Sequence, residues 1–134
     1  MSKGVKTIRV LQRARQLVAN KDTWTRGSLA RDKDGEVINV DNRFAVCFCL
    51  EGAVHRSLYE HSVNFTENGQ GAEDVNRLHC ALDILAQRVH VARRNCTIAN
   101  HRRPLTTIND YLGREAALEV LDLAIAEISP CTHP

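Results

Sequence analysis

A cysteine, histidines and an Asn-Asp pair are the residues of this chain that could carry out thiol chemistry. Cys49 and Asn109 stand in the order Cys, His, Asn with the histidine between them, an order that resembles that of thiol hydrolases. A thiol at the start of a helix would have a lowered pKa, because that end carries partial positive charge. The sequence pattern instead places Cys49 inside a helix on its apolar stripe, and no histidine occupies a clear motif position. We therefore expect Cys49 to be a small buried side chain, assign no catalytic residue, and keep a Cys-dependent hydrolase as an alternative.

Potential metal ligands are numerous but poorly spaced. The thiols and imidazoles that a zinc site could use are Cys47, Cys49, His79, Cys80, Cys96, His101, Cys131 and His133. No two of them form the Cys-x-x-Cys pair that is typical of zinc domains, and two thiols that are two residues apart on a helix diverge. The acidic stretch around Gly35 does not fit a calcium loop, because Ala30 would fall at its first ligand position. We predict no metal site and no cofactor.

A segment without acidic residues lies between Asp83 and Asp110. It contains five arginines, Arg88, Arg93, Arg94, Arg102 and Arg103. If the basic face of the first predicted helix adjoins them, the two form a positive surface for phosphates or an acidic protein. Acidic residues of the last helix can balance this charge, and no helix-turn-helix spacing or RNA-binding aromatic motif accompanies it. The five arginines are therefore predicted to bind an anionic partner, and nucleic-acid binding is an alternative function.

Composition is typical of a soluble globular protein with one domain, residues 1–134. The chain is 43% hydrophobic and 25% charged, with a net charge of +2, which by itself indicates neither a nucleic-acid nor a membrane partner. No stretch approaches the roughly 20 apolar residues that span a bilayer, and the charged N-terminus does not resemble a secretory signal. The five cysteines suggest no disulfide framework, so we expect a reducing cytoplasmic location.

Hydrophobic periodicity predicts helices at about residues 3–20, 43–61, 72–94 and 113–129, with residues 95–107 irregular. Ser28 to Val40 reads as two short strands about a turn at 32–35, where Asp-Gly supplies a residue with positive φ. Asp41 or Asn42 can cap the second helix. The predicted fold is mainly α, with four principal helices packed as a small bundle and one short two-stranded β-hairpin between helices 1 and 2.

Two further pairs of residues have predicted structural roles. Gly52 and Ala53 are small enough to allow another backbone to approach the second helix closely. Asn109 and Asp110 precede the last helix, where their side-chain oxygens can accept hydrogen bonds from backbone N–H groups. The same pair could instead face a ligand, so Trp24, Cys49, Asn109 and Asp110 are the residues that we expect to line a cleft, if the fold brings them together.

Three pieces of the chain carry a resemblance to a family of small bacterial and phage domains of unknown function. Its members read W-x-x-G-x-L-A-R-D-x-x-G, then W-C-x-x-G-A-L, then W-N-D-x-x-G-R before a final amphipathic helix. The matching residues are Trp24, Gly27, Leu29, Ala30, Arg31, Asp32 and Gly35, then residues 48–54, then residues 108–114. Phe48 and Ile108 replace the usual tryptophans, which suggests that both positions pack in the core.

The resemblance implies a shared fold and no particular reaction, cofactor or partner. Because the chain shows no assembled catalytic set, we expect a non-enzymatic binding or regulatory module that recognises a macromolecular partner, most simply a protein. The phage members of the family suggest a host–phage or mobile-element context. The sequence leaves open both a monomer and a homo-oligomer.

Overall fold

The computed structural model describes residues 3–61, 70–94 and 104–128. Its helices are α1 (Lys3–Ala19), α2 (Leu50–His61), α3 (Gln70–Arg94), α4 (Pro104–Thr107) and α5 (Arg114–Ile128). The strands β1 (Ala30–Arg31) and β2 (Cys47–Phe48) lie between α1 and α2. The fold is therefore mainly helical with a hairpin at the predicted position, and the short α4 adds a fifth helix to the four that we predicted.

Helices α1, α2, α3 and α5 enclose a core of aliphatic side chains. Helix α1 packs against α2 on one side and α5 on the other, and α3 packs against α5. The largest side chains with almost no exposed surface come from every helix, and they include Leu11, Val18, Leu50, Leu82, Leu105 and Leu121. Burial of each such side chain stabilises the fold by about 1.5–3 kcal/mol relative to exposure. The apolar stripes read from the sequence thus point inward.

The predicted turn is present, but the second strand is not where we expected it. Gly35 has a φ of +84°, and its N–H donates to the carbonyl of Asp32. The chain then returns beside β1, where Ile38 N–H bonds to Ala30 O, yet the ordered strand pair is β1 with β2, antiparallel, with Ala30 opposite Phe48. Strand β1 is thus bonded on both edges, because alternate carbonyls of an extended strand point to opposite sides.

The second helix begins at Leu50, seven residues later than predicted. Asn42 caps a turn instead of the helix, with its Oδ1 accepting from Phe44 N–H. Val46 N–H donates to Arg31 O, which draws the following residues into β2. Pairing with β1 satisfies these backbone groups as well as a helix would and also buries Phe48, so tertiary contacts override the helical pattern here.

Residues 104–107 belong to the segment that we expected to be irregular, and they are helical. Pro104 starts α4, since proline at the first helical position loses no hydrogen bond. A π-helical turn, Ile108–Leu112, follows directly and is closed by Gly113, whose φ is +95° and whose N–H donates to Ile108 O. Residues 95–103 lie outside the described part of the chain. In that part, no helix combines the length and apolar character that crossing a membrane requires.

The predicted close approach at Gly52 is confirmed, and the approaching backbone is that of Leu29. A Cβ atom placed on Gly52 would lie 1.9 Å from Leu29 O. Leu29 O also accepts from Cys49 N–H, so the carbonyl is fixed against the start of α2. Only glycine fits at this contact, because the obstacle is backbone and cannot rotate away.

Replacing Gly52 by alanine is expected to lower the free energy of unfolding by about 3 kcal/mol or more, since overpacking against fixed backbone forces the strand and helix apart. Urea denaturation followed by circular dichroism measures the change. The matched control is Gly35→Ala, which meets nothing within 4 Å and has only the cost of a positive φ, about 1 kcal/mol. Equal losses in the two variants would contradict the packing argument.

Candidate functional site

Asn109 is the centre of the region where the family motifs meet. Its Oδ1 accepts from Trp24 Nε1 at 2.7 Å and from Leu50 N at 3.0 Å. Its Nδ2 donates to Thr25 O and to Asp110 Oδ1, both at 3.0 Å. The side chain is fully buried, and these four bonds use its whole hydrogen-bonding capacity. Asn109 thereby joins the segment after α1, the start of α2 and the π-helical turn.

Asp110 strengthens the same junction from the edge. Its Oδ1 accepts from Gly27 N–H at 3.0 Å, and its carbonyl accepts from Arg26 Nη1 at 3.1 Å. The predicted role of the Asn-Asp pair, bonding to backbone N–H groups, is what these contacts show, although the groups bonded are those of distant segments and not of the last helix. Trp24, Asn109 and Asp110 do converge, together with the start of α2. They meet through mutual hydrogen bonds.

Cys49 lies immediately before α2, not inside the helix as we predicted. Its Sγ accepts from Gly52 N–H at 3.3 Å, and its carbonyl accepts from Ala53 N–H, so it caps the helix. The residue is only 2% exposed. Burial raises the pKa of the thiol to about 11, and the hydrogen bond from Gly52 offsets only part of this rise. The expectation of a small buried side chain therefore agrees with this geometry.

The partly buried Trp24 and two exposed side chains, Arg26 and Tyr111, border the buried junction. The Arg26 guanidinium lies 5.1 Å from the centre of the Trp24 ring and donates to the Asp110 carbonyl. Tyr111 follows in the π-helical turn and is 78% exposed, the highest value among the large hydrophobic side chains described. We call Trp24, Arg26 and Tyr111 the junction surface. Its backbone is held by the bonds of Asn109 and Asp110.

The Arg-rich segment is largely neutralised where it is described. Arg88 pairs with Glu127 at 3.2 Å and Arg93 with Glu119 at 2.7 Å, so α5 supplies the balancing acids. The side chains of Arg94, Arg102 and Arg103 lie outside the described residues. From the opposite side, Arg15 of α1 pairs with Asp122 of α5.

Helix α5 therefore lies between Arg15 of α1 and the arginines of α3. Arg15 and Arg93 approach a shallow groove of about 380 Å³ on α5 from its two sides. Glu115, Glu119 and Asp122 line the same groove, so the described basic side chains do not form one uninterrupted positive surface.

A cluster of carboxylates and imidazoles joins α2 to α3. Glu51 Oε2 lies 3.7 Å from His55 Nε2 and 3.4 Å from His79 Nε2. His79 Nδ1 lies 3.5 Å from Asp83 Oδ2. Among the described residues, Glu51, His55 and His79 are the set whose ligand atoms all lie close enough to share one metal ion.

Sequence reasoning missed this cluster. His79 was expected only as one of many scattered potential zinc ligands, and no pairing with Glu51 or His55 was predicted. The signal was present, because Glu51 and His55 are four residues apart on a helix, as are His79 and Asp83, and such pairs share a face. What the sequence could not show was that α2 and α3 turn these faces toward each other.

Comparison with known proteins gives a family and nothing beyond it. The model of a family of unknown function (DUF6197) matches residues 2–127, which is nearly the whole chain. No curated protein and no solved structure matches the chain. The resemblance to a family of unknown function is thus confirmed.

Replacing Asn109 by aspartate is expected to lower the free energy of unfolding by about 3 kcal/mol or more at pH 7, because a buried carboxylate would face Thr25 O and the Asp110 carboxylate. Burial raises the folded-state pKa of the new carboxyl, so the loss should shrink as the pH falls and this group is protonated. Chemical denaturation between pH 4 and 8 measures both effects. The exposed Asn39→Asp is the control, and an equal loss there would contradict the role of Asn109.

Cys49 is expected to resist alkylation in the folded protein, since a pKa of about 11 leaves roughly a hundredfold less thiolate at pH 7 than an unperturbed thiol has. Mass spectrometry after timed iodoacetamide treatment reads each cysteine separately. The exposed Cys80 should react before Cys49, and Cys49 should react at a comparable rate only in denaturant. Rapid modification of Cys49 in the native protein would instead support the hydrolase alternative.

Proposed function

We propose that this chain, which belongs to the family of unknown function DUF6197, is a non-enzymatic binding module that recognises a macromolecular partner through the junction surface. The observation that carries the proposal is the placement of Tyr111. It is 78% exposed, yet its backbone lies in a turn fixed by the fully buried Asn109. A large aromatic side chain on a rigid support offers contact area with little backbone ordering on binding.

The composition of the junction surface supports the same function. Tryptophan, tyrosine and arginine are the residue types that most often dominate the energy of protein interfaces. Arg26 is held between Trp24 and the carbonyl of Asp110, so its guanidinium is positioned before a partner arrives. The guanidinium also approaches Gly113, since its Nη2 would lie 3.9 Å from a Cβ atom at that position. Arg26 thus spans the turn that carries Tyr111.

A protein partner is favoured over nucleic acid because of how the arginines are paired. Nucleic-acid affinity depends on cationic side chains that are available to phosphates. In the described part of the Arg-rich segment, Arg88 and Arg93 lie in ion pairs with glutamates of α5. A binding function through the junction surface does not require those pairs to break. The host–phage context that the resemblance implies makes a host protein one class of partner to search for.

The burial of Cys49 weighs against the hydrolase alternative. A thiol nucleophile needs access to its substrate and a lowered pKa. Cys49 has neither property, since it is 2% exposed and burial raises its pKa to about 11. Its sulfur instead accepts a hydrogen bond from the backbone of α2, which is a structural role.

Tyr111→Ser and Arg26→Ala are expected to abolish retention of the partner. Tyr111→Ser removes an exposed side chain, whereas Arg26→Ala also removes the contacts of Arg26 with the Trp24 ring and the Asp110 carbonyl, so circular dichroism checks that each variant is folded. The immobilised full chain would be exposed to host lysate, and retained proteins would be quantified by mass spectrometry. The matched controls are Tyr59→Ser, a tyrosine 55% exposed on α2, and Arg43→Ala, an exposed arginine over Phe44.

A protein that the unmodified chain and both controls retain, and that both junction variants lose, would support the proposal. Equal retention by all five chains would overturn the assignment of the junction surface. Loss of the retained material after nuclease treatment, with binding that weakens as salt is added, would favour the nucleic-acid alternative instead.

A further inference from the structure

The first turn of α2 and the middle of α3 bring three metal-ligating side chains together. Glu51 and His55 are one turn apart on α2, and His79 faces them from α3. The ligand atoms Glu51 Oε2, His55 Nε2 and His79 Nε2 all lie within 4.8 Å of one another. The binding function proposed for the junction surface does not use these residues.

We propose that Glu51, His55 and His79 bind one divalent transition-metal ion of the zinc class. Zinc bonds to imidazole nitrogen and carboxylate oxygen of about 2.0–2.2 Å place tetrahedral ligand atoms about 3.4 Å apart. Glu51 Oε2 already lies 3.4 Å from His79 Nε2 and 3.7 Å from His55 Nε2. The two imidazoles select a zinc-class ion over magnesium or calcium, which prefer oxygen ligands throughout.

The surrounding residues orient the ligands as they do in known metal sites. Thr106 Oγ1 donates to Glu51 Oε1 at 3.0 Å, which leaves Oε2 directed at the imidazoles. Asp83 Oδ2 lies 3.5 Å from His79 Nδ1, so a proton on Nδ1 leaves the lone pair of Nε2 toward Glu51. A carboxylate behind a ligating histidine is the usual outer partner of zinc. Thr106 and Asp83 are positioning residues here.

Exposure of the two histidines leaves room for the ion to be reached. The side chains of His55 and His79 are 34% and 31% exposed, whereas that of Glu51 is 11% exposed. Their rings, with centres 5.7 Å apart, can therefore rotate slightly around an ion without disturbing the core. Three protein ligands leave a fourth position of a tetrahedral ion for water or a partner's side chain. The ion would also tie α2 to α3.

This inference goes beyond the proposed binding function and is tested without any partner. The full chain, stripped with a chelator and dialysed, would be titrated with Zn²⁺ by calorimetry, and its Tm would be measured with and without the ion. We expect one ion per chain and a Tm that rises by several degrees with Zn²⁺, because a ligand that binds only the folded state stabilises it.

Variants separate the proposed site from other ligands. Glu51→Gln and His55→Gln are expected to weaken Zn²⁺ binding by more than 100-fold, and Asp83→Asn by about 10–100-fold. Circular dichroism checks that each variant is folded, and His55→Gln changes only a half-exposed side chain. The matched control is His61→Gln on the same helix, whose Nδ1 contacts Ser57 O and which lies outside the cluster.

Co²⁺ distinguishes imidazole and carboxylate ligands from a thiolate ligand. The distinction is needed because Cys80 follows His79 in the sequence and is exposed. Co²⁺ bound at the proposed site should show no thiolate-to-metal charge-transfer band. Each of three results would overturn the proposal. The first is that the unmodified chain binds no Zn²⁺, and the second is that His55→Gln and His61→Gln bind Zn²⁺ with equal affinity. The third is a Co²⁺ thiolate band that His55→Gln leaves unchanged.

Discussion

The fully bonded side chain of Asn109 is the constraint on which the arrangement of this fold depends. The oxygen and both hydrogens of this amide form hydrogen bonds inside the protein. These bonds hold together three segments that are far apart in the sequence. If one partner moved, buried polar groups would lose hydrogen bonds at a cost of about 1–3 kcal/mol each. The position of Trp24, the first residue of α2 and the π-helical turn are therefore set together.

Two other close fits reinforce the same junction. Gly52 admits the carbonyl of Leu29 against α2, which places β1 beside the helix start. The extended segment at Thr25 bonds to Phe48 O, so β2 is attached on its other side. Phe48, a position that we expected to pack in the core because it replaces a tryptophan of the family motif, is buried. These residues therefore specify how the segments cross.

Sequence periodicity was enough to predict the long helices but not the irregular segments between them. Helices α1, α3 and α5 end within about two residues of their predicted limits, because each carries a continuous apolar stripe. The stretch before α2 carried the same stripe and was wrongly assigned to the helix. Its residues pair with β1 instead of continuing the helix. Because β1 lies fifteen or more residues earlier in the chain, a local hydrophobic pattern cannot reveal this pairing.

The candidate sites were harder to predict for the same reason. Trp24, Asn109 and Asp110 were grouped by motif, and the structure brings them together; whether they line an open cleft depended on packing that spacing does not encode. The histidine and carboxylate pairs on α2 and α3 were each readable from four-residue spacing. Their meeting depended on the relative rotation of α2 and α3, which the local pattern of neither helix encodes.

The junction separates buried residues from exposed ones. Asn109, Gly52 and Cys49 are enclosed, so substitutions there change stability before they change recognition. Tyr111 and Arg26 are exposed on the same framework, and Glu51 with the two histidines lies at a separate contact between helices. This arrangement suits the binding function proposed for the junction surface, because the buried hydrogen bonds hold the backbone that carries the exposed side chains.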